Sequence, residues 1–268
     1  MPADLYFALT LIVKMAVTAG FVVAATVTAE RAGPVIGGMV ATLPIGAGPV
    51  YVFLAMDHDP RFIAQSAIAS LAINAANASL AIVYSLLAQK RSLTISLCGA
   101  FVIWTAFALG IRSINWTFLT AAAMNGVVLA LCIWSVSSLR HVRMRAFHAR
   151  WSDMLLRAVM VAVLVGIVVT FSFRLGPRGS GLLAVFPVVL TSIALVMHPR
   201  MGGKAAAAVL ANAPIGLIGF AFACTVLHFT AEPLGNPIGL ALALLTSVGW
   251  SVAMMRMHRM PADEPPLV

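Results

Sequence analysis

Apolar runs alternate along this chain with short polar gaps in a regular pattern. Nine runs meet the length of a membrane crossing: residues 7–29, 34–56, 62–88, 93–111, 115–138, 153–173, 179–198, 204–228 and 237–256. A hydrocarbon core of about 30 Å takes about 20 helical residues at a rise of about 1.5 Å each. The pattern therefore predicts an all-α, polytopic membrane protein of about nine transmembrane helices. The gaps carry turn chemistry, as in Asp57-His58-Asp59-Pro60, Lys90-Arg91-Ser92, His198-Pro199-Arg200-Met201-Gly202-Gly203 and Glu232-Pro233-Leu234-Gly235-Asn236-Pro237. One long polar stretch, 139–152, interrupts the series and holds Arg140, His141, Arg143, Arg145, His148 and Arg150; the proline-bearing tail 261–268 is predicted to be disordered.

A second pattern overlies the first. Arg31-Ala32-Gly33-Pro34 returns 143 positions later as Arg174-Leu175-Gly176-Pro177, and the register holds on both sides: Lys14 falls on Arg157, Gly38 on Gly181, Ala41 on Ala184 and Pro44 on Pro187. Weaker echoes are Asn74 with Asn212, after a five-residue shift, and a tryptophan in the last run of each half, Trp104 and Trp250. The expected organisation is a membrane repeat over 1–112, a linker transmembrane helix over 113–138, a basic loop at 139–152, a second membrane repeat over 153–260 and the tail. Each repeat has four helices and one unmatched helix separates them, so parity makes the second copy enter the membrane from the opposite face. Two inverted four-helix repeats joined by a linker helix follow.

Composition narrows the class further. The chain is 62% hydrophobic and 9% charged, with a mean hydropathy of +1.02, far from the profile of a soluble domain. Its net charge of +9 does not argue for nucleic acid, because the basic residues fall mostly in the gaps between apolar runs, where orientation requires them. With the 139–152 loop in the cytoplasm, most of the 17 Lys and Arg share that side, while Lys14, Arg61, Arg112, Arg174 and Arg178 fall outside with Asp57, Asp59 and Glu232. The N-terminus is then external and the C-terminus cytoplasmic, in a bacterial-type inner membrane. Asp4 and the absence of a basic region before the first run argue against a cleavable signal. Cys98, Cys132 and Cys224 are solitary within apolar runs and form neither a disulfide framework nor a metal site.

The candidate chemistry lies where the runs are broken or polar. Pro44 and Pro187 stand mid-span, where proline removes a backbone donor and clashes with the preceding turn; Pro44-Ile45-Gly46-Ala47-Gly48-Pro49 predicts an unwound segment. Unpaired backbone at that depth needs protein or a water-filled cavity for partners, and broken helices in inverted repeats are where secondary transporters place their binding sites. A kink in a packed helix is the plainer reading. Asn74 and Asn212, with Asn77 a turn from Asn74, either bond neighbouring helices or contact a solute, with the carbonyls freed near Pro44 and Pro187 as candidate partners. Arg31, Arg174 and Arg178 either anchor the interface or form anion gates beside helix N-termini. No Asp or Glu lies deep in an apolar run, so proton coupling through a buried acid is not expected. No catalytic, metal-ligating or cofactor-binding constellation emerges, the Asp57-His58-Asp59 turn being read as a solvated loop. No enzyme activity, cofactor or metal is expected.

The four-helix unit, with a basic residue early in its first helix, a glycine-rich start to a proline-broken second helix and a tryptophan in its fourth, resembles the small inner-membrane proteins of the GlpM type. The match runs from Leu156 to Met257, above all through Gly181-Leu182-Leu183-Ala184-Val185-Phe186-Pro187, and through Gly37 to Pro44 in the first half. The resemblance implies a duplicated membrane unit and names no substrate. The expected function is an inner-membrane transporter or permease for a small polar or anionic solute, working by alternating access, with Pro44, Gly46, Gly48, Asn74, Pro187, Asn212, Arg31, Arg174 and Arg178 at the site. The alternative is a non-catalytic scaffold or accessory subunit whose basic loop binds a cytoplasmic partner or anionic lipid. The expected partners are the lipid bilayer and a small-molecule solute, with a homo-oligomer left open and no nucleic acid.

Overall fold

The computed structural model describes residues 3–31, 46–139 and 150–258. Pro44, the basic loop from 140 to 149 and the tail lie outside the described residues. The described chain is helical: α1 (Ala3–Arg31), α2 (Ala47–Asp57), α3 (Pro60–Leu87), α4 (Leu93–Ser113), α5 (Phe118–Ser135), α6 (Trp151–Ala184), α7 (Val188–Met201), α8 (Gly203–Ala211), α9 (Ala213–Leu234) and α10 (Asn236–His258), with one 3-10 turn at Ser137–Leu139. Six stretches of helix among these residues are long and apolar enough to cross a membrane, and two shorter apolar helices accompany them. The protein is an all-α, multi-pass membrane protein.

Three of the nine expected runs are divided or joined differently from the hydropathy pattern. The sixth and seventh form one continuous apolar stretch, Trp151–Met201, of 51 residues; a straight helix of that length would measure about 75 Å, more than twice the hydrocarbon core. It bends at Gly176, where φ is +64°, a conformation that costs a residue with a Cβ but not glycine. Pro177 follows at the first position of the next arm, where no backbone donor is required. The stretch breaks again between Ala184 and Val188, with Pro187 capping α7. The eighth run also breaks, at Asn212, between α8 and α9. Hydropathy averages over such breaks because the flanking residues remain apolar on both sides.

The core is built around α3. Its start is fixed by Asp59, whose carboxylate accepts from the Phe62 amide at 2.8 Å, and by Pro60 in the first turn. Within its most apolar stretch 83% is buried, against 22% for α4, α5 and α10. The outer helices turn residues such as Leu119, Leu131 and Trp134 outward, as a lipid-facing surface requires. Since lipid is as apolar as these side chains, close backbone approach must hold the bundle. Gly181 supplies it at the crossing of α6 on α3: an added Cβ would stand 2.2 Å from the Ser66 carbonyl oxygen.

α3 packs along α9 and, beyond it, along α8. His228 meets the Ala64 carbonyl and Asn74 the Leu217 carbonyl; beyond α9, Ser85 reaches Ala207 of α8. Rising numbers on one strand of this contact meet falling numbers on the other, so the two run antiparallel. The same holds for register elsewhere: Asn74 and Leu217 are 143 positions apart, and a Cβ on Gly46 would lie 3.8 Å from the Val189 side chain, its counterpart at the same separation. The first helices of the two halves, α1 and α6, also pack together, with Gly166 against Met15.

Candidate functional site

The breaks in the helices are surrounded by buried polar side chains, most of them on α3. Asn77 donates to the Val185 carbonyl at 2.8 Å and accepts from the Trp104 indole at 2.7 Å. Val185 closes the arm that precedes Pro187, so this amide takes a carbonyl that the break leaves without a helical donor. Its neighbour on the other side of the crossing is a hydroxyl relay. Ser70 donates to the Gly181 carbonyl at 2.7 Å, so the Tyr51 hydroxyl, also 2.7 Å away, donates to Ser70.

Asn74 lies one turn before Asn77. It donates to the Leu217 carbonyl at 3.0 Å and, more weakly, to Asn125 at 3.5 Å. Asn125, on α5, donates in turn to the Leu71 carbonyl at 2.7 Å and ties that helix into the core. Among the described residues, Asn74 Oδ1, Ser66 Oγ and Ser180 Oγ are buried with no hydrogen-bond partner. Such groups are few in folded proteins and each asks for a partner.

The residues singled out in the sequence do not converge on one cavity. Gly46 stands beside α7, where an added Cβ would lie 3.8 Å from the Val189 side chain, two residues past Pro187. Asn74 is buried at the α3–α9 contact, whereas Asn212 is exposed and bonds the Ala208 carbonyl of its own helix. It is Leu217, five positions on, that faces Asn74. Arg31 is the last residue of α1, and Pro44 lies outside the described residues. Arg174 is exposed, and Arg178, also exposed, bonds the Asn115 side chain. Asn125 and Arg112, part of the arrangement as built, carry no repeat signal in the sequence; an amide in an apolar run is the signal that would have found Asn125.

Two cavities flank this core. One, of about 380 Å³, opens between α1, α2, α9 and α10 and is lined by Thr18, Gly48, Tyr51, Cys224 and Leu244 among others. The Thr18 hydroxyl is turned to the Lys14 carbonyl and the Tyr51 hydroxyl to Ser70, so its wall is apolar. The other, of about 270 Å³, lies between α3, the end of α4 and the second arm of α6, and is lined by Gln65, Arg112, Trp116 and Arg178 with five apolar residues.

Ion pairs close the ends of the second helices. Lys14 meets Asp57 at 2.6 Å, and Arg200 grips both carboxylate oxygens of Asp153 at 2.5 and 2.6 Å. The three polar residues of the turn between α2 and α3 point to different partners: Asp57 to Lys14, Asp59 to the α3 amide, and His58 to Ser172 at 2.8 Å, its ring stacked on Phe62. Burial lowers the His58 pKa from its ordinary value. No group of three metal-ligating side chains occurs among the described residues.

No family model, curated protein or solved structure matches this chain. Nothing in these comparisons ties it to the GlpM type.

Proposed function

We propose that this chain is an inner-membrane transporter for small polar or anionic solutes, built from two inverted four-helix repeats that rock against each other about their broken second helices. The observation that carries this reading is contact between register-equivalent residues: Gly46 with Val189, and Asn74 with Leu217. Residues that touch their own counterparts lie on an axis relating the two halves, as in an isologous interface. The antiparallel run of α3 against α9 supports an axis in the membrane plane, the arrangement that alternating access exploits.

The solute path in this reading passes the meeting of the two breaks. The Val185 carbonyl held by Asn77, and the unpartnered Asn74 Oδ1, Ser66 Oγ and Ser180 Oγ, supply polar groups that a solute takes over when the halves separate. The arrangement described is the packed one, with the amides engaged across helices. Gly176, Gly202 and the Ala184–Val188 break are the places where backbone can rotate without losing a long run of helical hydrogen bonds. Arg174 and Arg178 favour anionic solutes at the external mouth, and Arg31 at the cytoplasmic one. No covalent step is part of this activity.

Uptake into right-side-out vesicles, screened with inorganic phosphate and with small mono- and dicarboxylates, tests it. Asn74→Ala and Arg174→Gln variants that insert normally are expected to lose uptake. If no probe is taken up, and neutralising Arg140, Arg143, Arg145 and Arg150 instead releases a co-purifying partner, the chain is a scaffold.

A further inference from the structure

We infer that the cavity between Arg112 and Arg178 is a binding site for a small oxyanion group, of the phosphate type, at the membrane face where α4 ends and the second arm of α6 begins. The two guanidinium groups come from elements far apart in the chain and line one cavity of about 270 Å³ with Gln65. None of the described residues lining it is acidic. Neither arginine has a carboxylate partner among the described ion pairs. A guanidinium offers five donors in a planar fork that matches an oxyanion, and two such forks facing one space repel each other unless an anion lies between.

The placement of Arg178 strengthens the case. It follows Pro177 in the first turn of a helical arm, the end at which the helix dipole disfavours a cation. Helix stability therefore gives no reason for an arginine there. The Asn115 side chain accepts from Arg178, fixing its head while leaving further N–H groups free. Trp116 is fastened by its indole to the Ile111 carbonyl at 2.8 Å, which holds the loop forming the floor. Gln65 adds an amide donor from the exposed side of α3. At this volume, just under the range of about 300–1,000 Å³ for drug-sized ligands, the site takes one headgroup or one small ion. A phospholipid headgroup and free phosphate present the same chemistry, and both reach a membrane-face site.

The site needs no translocation. A chain that binds here and takes up nothing would sink the transporter reading and leave this one standing. The test uses the full chain in nanodiscs of zwitterionic lipid, titrated with radiolabelled inorganic phosphate, and in parallel native mass spectrometry after mixing with phosphatidylglycerol or phosphatidylcholine. Arg112→Gln and Arg178→Gln are each expected to weaken binding by about tenfold, and the exposed Arg61→Gln to leave it unchanged. Arg112→Lys and Arg178→Lys, which keep the charge and lose the fork, are expected to fall between. Phosphate bound in zwitterionic discs identifies a free anion; retention of phosphatidylglycerol alone identifies a headgroup; either supports the site. Failure of both probes to bind, or equal weakening by Arg61→Gln, overturns it.

Discussion

The two ends of the second helices occupy the same register with opposite charge. Asp57 closes the first and pairs with Lys14 of α1; Arg200 stands 143 positions later and pairs with Asp153 of α6. In each half the partner comes from the first helix of that half. What the two halves share is therefore an ion pair at a fixed place, and what they do not share is its polarity. Each pair is neutral as a whole, so the position tolerates either sign provided the first helix supplies the opposite one.

The strongest way to break the comparison is at the helix crossing. Gly181→Ala places a Cβ 2.2 Å from a backbone oxygen, which no side-chain rotation relieves. A loss of about 3 kcal/mol, at the upper end for overpacking, is expected in the unfolding midpoint in detergent.

Next come the ion pairs. Asp153→Asn and Asp57→Asn are each expected to destabilise by about 1–3 kcal/mol, below the range for a fully buried pair, because one partner in each is 27% exposed. Exchange of the first pair, Lys14→Asp with Asp57→Lys, is expected to recover the folding stability that either single change loses, read as unfolding midpoints in detergent.

Smaller effects separate the amides. Asn77→Ala strands the Trp104 indole and the Val185 carbonyl and is expected to lose about 1–2 kcal/mol. Asn212→Ala, exposed at its helix junction, is expected to change thermal unfolding by less than about 0.5 kcal/mol. The smallest effect concerns His58, which is set against Lys14, Asp57, Asp59, Ser172 and the rings of Phe62 and Phe173. Because its pKa is lowered in the folded protein, the unfolded chain binds its proton first. Stability from neutral His58 is present above about 6.5 and is lost as the pH falls below it. A pH series of unfolding midpoints should show this slope, and His58→Gln should flatten it.

The bend in α6 was legible because its markers are residues with backbone consequences. Gly176 and Pro177 make a bend that few other residues make, and an added Cβ on Gly46 would lie 3.8 Å from Val189, 143 positions on. The sequence echo between Asn74 and Asn212 carries no shared contact: Asn74 donates to the Leu217 carbonyl, and Asn212 bonds within its own helix, because the partner is a backbone carbonyl that no side-chain comparison detects. The carbonyl freed at the Pro187 break was foreseen as an amide's partner, and Asn77 takes it. Asn125 went unread since it lies outside both repeats, and its role arises from a contact 54 positions away in the chain, at Leu71; Arg112 was read only as a charge at a run's end, because the cavity it shares with Arg178 is formed by segments far apart in sequence. Apolar flanks on both sides hid the break at Asn212.

The most direct test of inverted repeats uses Arg61 and Lys204, which are exposed, outside the ion pairs and 143 positions apart. Single cysteines at each, in a background lacking Cys98, Cys132 and Cys224, are treated on intact cells with a membrane-impermeant thiol reagent. The account predicts labelling at position 61 from outside, and at position 204 only after the membrane is permeabilised. Labelling of both positions, or of neither, on intact cells would place the two turns on one face and contradict it.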